Sequence, residues 1–108
     1  MRPSQTTTSG VSTSAAIPVD IYCPSSDKGV FVVVTGTVTY TVQITGDDIF
    51  DSNITPTWVS VDATANANLI AATTTQQGTI DTPCRAIRVN QTAGAGSTRV
   101  TVIQQSLA

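Results

Sequence analysis

Thr37-Val38-Thr39-Tyr40-Thr41-Val42-Gln43-Ile44-Thr45 is the stretch that decides the fold class. Val38, Tyr40, Val42 and Ile44 recur at every second position, so an extended chain projects all of them from one face. Thr37, Thr39, Thr41, Gln43 and Thr45 project from the other. A helix, which turns about 100° per residue, would scatter both sets around its axis. The stretch is therefore a strand with one apolar face and one threonine face, of the kind that seals one side of a β core.

Working outward, the same period recurs with interruptions. After the loop at residues 46–53, in which Ile49 and Phe50 are the expected anchors, Thr57-Trp58-Val59-Ser60-Val61 reads as a strand. It carries Thr57, Val59 and Val61 on one side and Trp58 on the other. On the N-terminal side, Val30-Phe31-Val32-Val33-Val34 is an unbroken apolar run, expected of a strand covered on both faces. Before it, Cys23 to Gly29 reads as a turn, and Ile17, Val19 and Ile21 alternate with Pro18, Asp20 and Tyr22. Pro18 places that strand at a sheet edge or a strand start.

Residues 62–82 are a long connection around Leu69, Ile70 and Ile80, with room for one short strand. Arg85 to Gln91 is a strand with Ile87 and Val89 inward and both arginines outward. Ala93-Gly94-Ala95-Gly96-Ser97 reads as a hairpin loop leading into the last strand, Thr98 to Gln104, with Val100 and Val102 inward. The expected architecture is all-β: a small β-sandwich or jelly-roll-like double sheet of six to eight short strands. Residues 1–16, rich in Thr and Ser and poor in core-forming side chains, are expected as an extended polar N-terminal arm lying along another subunit or partner, with docking on the chain's own domain as the alternative, and 17–108 as the sandwich domain.

Composition points the same way. The chain has 108 residues, enough for one core. Charged residues make up only 11 %, against roughly 25 % in an average soluble domain. All seven acidic residues are Asp, Glu and His are absent, and Lys28 is the only lysine. The residues that usually dress helix surfaces are thus nearly missing, while Val and Thr, stiff at χ1, favour pleated surfaces. A net charge of −2 leaves little repulsion between copies. No apolar stretch of a secretory signal's length opens the chain and none is long enough to cross a membrane as a helix, so the reading is a protein made in the cytosol with no membrane partner.

Several chemistries lack their residues. Without His there is no His-based acid–base, nucleophilic or metal chemistry. Cys23 and Cys84 are far apart, have no CxxC spacing and are expected as free thiols. No phosphate-binding glycine motif occurs. Asp47, Asp48, Asp51 and Asn53 depart from the spacing of a calcium loop and are expected to cap backbone N–H groups, with a pair of glycosidase-type carboxylates as a lesser alternative. Arg85, Arg88 and Arg99 would make a small basic patch if the last two strands pair, too small to hold nucleic acid and better suited to pairing with Asp. Tyr40 reads as core; Trp58 stays open between core and a sugar-stacking surface. The expectation is a binding and assembly protein, not an enzyme, with no catalytic, metal or cofactor-binding residues and no cofactor.

Gly36 to Gln43, Asp47-Asp48-Ile49-Phe50, Pro56-Thr57-Trp58, the segment Arg85 to Gly94 and the ending Val100 to Gln104 together resemble small β-rich virion-associated proteins of tailed bacteriophages. The likeness spans roughly residues 30 to 104 and is carried by β-rich segments, not by a catalytic signature. It implies a structural virion protein, a decoration or cement protein that binds the head surface and stabilises it. Its partners would be the major capsid protein or other virion proteins, and the protein itself a homo-oligomer, with a trimer favoured. A neck or tail component, or a carbohydrate-binding β-sandwich on a tail or fibre, is the alternative.

Overall fold

The computed structural model describes residues 4–19 and 28–104. Among the described residues nine strands run in chain order: β1 (Ser4–Ser9), β2 (Ser12–Thr13), β3 (Ile17–Pro18), β4 (Lys28–Thr35), β5 (Thr39–Thr45), β6 (Val59–Ser60), β7 (Gln76–Ile80), β8 (Ala86–Ala93) and β9 (Ser97–Gln104). A 3-10 turn, Ala67–Leu69, precedes β7. The strands form two antiparallel sheets, one in the order β1-β9-β4-β7 and the other β2-β8-β5-β6, with β3 also on β8. This is the all-β double sheet that the sequence predicts.

The core lies between the sheets. Val30 and Val32 of β4 and Val100 and Val102 of β9 meet Tyr40, Val42 and Ile44 of β5 and Ile87 and Val89 of β8. Leu69 of the 3-10 turn and Ile80 of β7 belong to the same cluster. The apolar face of β5 is buried as its alternation requires. Its threonine face is only half-buried, except at Thr45, which is buried for reasons given below. On β4 the expectation of two covered faces fails: Val30 and Val32 are buried, whereas Phe31 is 42 % exposed on the outer face. An unbroken apolar run cannot tell a strand inside a layered fold from one in an outer sheet.

The last two strands are not a hairpin. β8 pairs β5 and β9 pairs β4, so the chain crosses from one sheet to the other at Gly94–Gly96. It crosses in the same way between β4 and β5 at Gly36–Val38, and the two arches lie side by side. Gly36 and Gly94 have φ of +83° and +94°, and a Cβ on Gly94 or Gly96 would collide with the carbonyls of Thr37 or Thr35. Gly96 N–H donates to Thr37 O at 3.0 Å. Inside the arch the fully buried Gln91 donates through Nε2 to Gly94 O (3.3 Å) and Gly96 O (2.9 Å), and Thr98 Oγ1 donates to Gln91 Oε1 at 3.3 Å. Glycines that allow close approach and a glutamine that satisfies the inward carbonyls turn a hairpin-like spacing into a crossover.

At the other end, Lys28 is buried with Nζ donating to Thr82 O at 3.1 Å. Cys84 is a buried free thiol whose pKa burial pushes up, the Lys28 charge acting in the opposite sense. Cys23 and the expected continuation of the Ile17 strand through Tyr22 lie outside the described residues. The expected arm is placed differently: residues 4–9 form the edge strand β1 on the chain's own β9, and Ser12–Thr13 pair with β8. A backbone ladder needs no apolar side chains, so a polar leader can join a sheet that its composition gives no reason to expect.

Candidate functional site: the loop over the second sheet

Between β5 and β6 the chain leaves the second sheet, runs through residues 46–58 and returns. Thr45 closes the neck of this excursion. Its Oγ1 donates to Thr57 O at 2.8 Å and accepts from Asp47 N–H at 3.1 Å, while Asp47 Oδ2 accepts from Thr57 N–H at 2.7 Å. These bonds explain why a threonine on the outer face is buried. Further along, Asp48 Oδ1 accepts from Phe50 N–H and Asp51 Oδ1 from Asn53 N–H, both at 2.9 Å. Each is an Asx turn, a side-chain carboxylate standing in for a backbone carbonyl two residues back. The expected capping role of Asp47, Asp48 and Asp51 is what the structure displays, and none of the three faces another as an acid–base couple in these contacts.

The loop is tied to the sheet beneath it by two arginines. Arg85 Nη1 lies 3.7 Å from Asp48 Oδ2, and Arg85 N–H donates to Thr45 O at 2.8 Å. Arg88 places its guanidinium over the Trp58 ring, 4.3 Å from the centroid, with Nε donating to Gln43 Oε1 at 2.8 Å. Partial burial lowers the Arg88 pKa from its ordinary value by desolvation. Trp58 is half-buried, and the ring face that a sugar would use is on one side already taken by the guanidinium.

With its carboxylates bonded to its own backbone, the loop leaves apolar groups exposed to solvent. Phe50 is 78 % exposed, Ile54 44 % and Val59, on the edge strand, 53 %. Phe50 is thus not the anchor its hydrophobicity predicts. The signal available in the sequence was the placing of Asp48 and Asp51 two residues before Phe50 and Asn53, a spacing that favours Asx turns, with Phe50 lying between the two turn-forming aspartates.

The predicted arginine patch does not form. β8 and β9 lie in opposite sheets, so Arg88 and Arg99 project from opposite outer faces. Tyr40 is fully buried, as expected, with its hydroxyl donating to Thr74 O at 2.8 Å and its pKa pushed up to about 12 by desolvation. Among the described residues no three His, Cys, Asp or Glu side chains are grouped to hold a metal ion, and no helix is long and apolar enough to cross a membrane. No family model, curated protein or solved structure matches the chain.

Proposed function

We propose that the protein is a structural component of a tailed-bacteriophage particle, a decoration or cement protein that docks on the major capsid protein through the 46–59 loop and acts as a homo-oligomer without catalysing a reaction. The observation that carries this reading is the loop's inversion: its carboxylates are spent on its own backbone while Phe50, Ile54 and Val59 face solvent. A loop held by its own backbone bonds and presenting apolar groups on a surface with few charges suits a permanent contact, since little charge must be desolvated. The resemblance of residues 30 to 104 to virion proteins supplies the kind of partner. Neither a nucleic acid nor a membrane is part of this reading.

Cryo-electron microscopy of purified particles tests it. The expected result is density on the head surface with the 46–59 loop against the shell, and loss of that density in particles carrying Phe50→Ser. Occupancy should change little between low and high salt, because screening acts on exposed charges. Density at the neck or tail would move the protein to the alternative location; absence from the particle would overturn the reading.

A further inference from the structure

β1 differs from every other long strand in what it gives the core. Its inward residues are Ser4, Thr6 and Thr8, and no residue of β1 belongs to the apolar cluster. Val100 and Val102 of the neighbouring β9 are buried by contrast. Among the described residues β1 is held by its backbone ladder to β9, from Ser4 opposite Val102 to Ser9 opposite Ser97, by an outer-face contact, Thr101 Oγ1 donating to Gln5 Oε1 at 3.3 Å, and by the packing of its polar inner face, where Thr8 is buried. Thr8 adds an opposing contribution: its hydroxyl is buried and has no hydrogen-bond partner among the described residues.

The link from β1 to β2 is only Gly10-Val11. Gly10 sits at φ +68° with open space where a Cβ would be, Val11 is 70 % exposed, and the backbone bond from Gly10 N–H to Gly96 O is 3.2 Å long. β2 stays on the other sheet, through Ser12 and Thr13 on β8. An edge strand without an apolar anchor, ending in a glycine with open space where its Cβ would be and followed by an exposed Val11, has the parts needed for exchange between copies.

We propose that β1 is an exchangeable strand, leaving its own β9 and pairing in the same register with β9 of a second copy of this chain. The ladder lost in one copy is regained in the other, so the exchange is nearly neutral in hydrogen bonds. The hinge spans roughly 10 Å when extended, so donor and acceptor sandwiches must sit edge to edge. Mutual exchange closes a dimer, and head-to-tail exchange closes a ring. The inference rests on the sheet edge alone and stands whether or not the protein belongs to a virion.

The test uses the purified full chain with Cys23→Ser, in two separately tagged forms, one Gln5→Cys and the other Thr101→Cys. These positions are register partners on the outer face. After mixing at high concentration and mild oxidation, the expected product is a disulfide joining position 5 of one chain to position 101 of the other, identified by peptide mass. Thr8→Val, which replaces the unpartnered hydroxyl with a methyl, should slow its appearance roughly fivefold, the rate equivalent of about 1 kcal/mol. A chain carrying both cysteines serves as the register control. An intrachain bond in that control, with only unlinked chains or 5-to-5 links in the mixture, would overturn the proposal.

Discussion

Arg88 holds its guanidinium 4.3 Å from the centre of the Trp58 ring and donates through Nε to Gln43 at 2.8 Å, so one side chain joins β8, β5 and the loop that leads into β6. Neither residue reaches the apolar core. Their contact fixes the return path of the loop that carries Phe50. Stacking of this kind contributes about 0.5–2 kcal/mol according to how far it is desolvated. In a double-mutant cycle of Trp58→Ala and Arg88→Ala, read by urea unfolding, a coupling energy of about 1 kcal/mol is expected. Additive losses would mean that the stack holds nothing in place.

The arch between β8 and β9 should be the most sensitive polar feature of the fold. Gln91→Leu removes both donors to the Gly94 and Gly96 carbonyls and the acceptor for Thr98, at an expected cost of about 2–4 kcal/mol. Urea midpoints at constant slope would measure it. A loss below about 0.5 kcal/mol would show that water replaces the side chain.

Two glycines with positive φ separate crowding from backbone preference. Gly94→Ala drives a Cβ into the Thr37 carbonyl, whereas at Gly10 the same methyl meets open space. Expected losses are above about 3 kcal/mol for Gly94→Ala and about 1 kcal/mol for Gly10→Ala. Thermal melts of the two variants side by side give the comparison, and equal losses would contradict the close packing of the arches.

Alkaline pH should unfold the protein in part through Tyr40. Its folded pKa of about 12 lies above the ordinary value of 10.0, so between these the unfolded state releases the proton more readily and stability falls as pH rises. Below pH 10 this contribution is fully present; by pH 12 about 2–3 kcal/mol is expected to be gone. The Cys84 thiol, also raised by burial, acts in the same direction. Tyr40→Phe should start lower at neutral pH, because Thr74 O loses its donor, yet show a shallower decline above pH 10. An unchanged slope would place the alkaline sensitivity elsewhere.

The exposed ion pair should matter little. Arg85 and Asp48 are each 45 % exposed and 3.7 Å apart, so Asp48→Asn, which keeps an oxygen for the Phe50 N–H, is expected to change stability by less than about 0.5 kcal/mol. Asp47→Ala, which leaves Thr57 N–H without its acceptor at the loop neck, should cost about 1 kcal/mol. The order of these two effects, measured by urea unfolding, is the prediction.

How far the sequence reached follows from what a side-chain pattern encodes. Period-two alternation records which face of a strand meets the core, so β5, the inward Ile87 and Val89, and Val100 and Val102 were all legible in residue order. The pattern is silent about partners. β8 and β9 read as a hairpin because adjacent strands joined by a glycine-rich link look alike whether they pair or cross; the Gly94 and Gly96 contacts and the Gln91 bonds decide for crossing. The same limit separated Arg88 from Arg99 and dissolved the predicted patch. Around Phe50 the difficulty was local: hydrophobicity predicts burial, but two Asx turns direct the chain, and turn geometry wins over about 2 kcal/mol of side-chain transfer.

Sequence alone thus determined the β class, the faces of the strands and the capping work of the aspartates, because these depend on residue type and spacing within a few positions. The tertiary structure decided the sheet to which each strand belongs, the outward turn of Phe50 and the incorporation of Ser4–Ser9 beside β9. Those outcomes rest on backbone hydrogen bonds and close approaches between residues distant in the chain, and backbone groups are the same in every residue type, so no side-chain pattern records their partners.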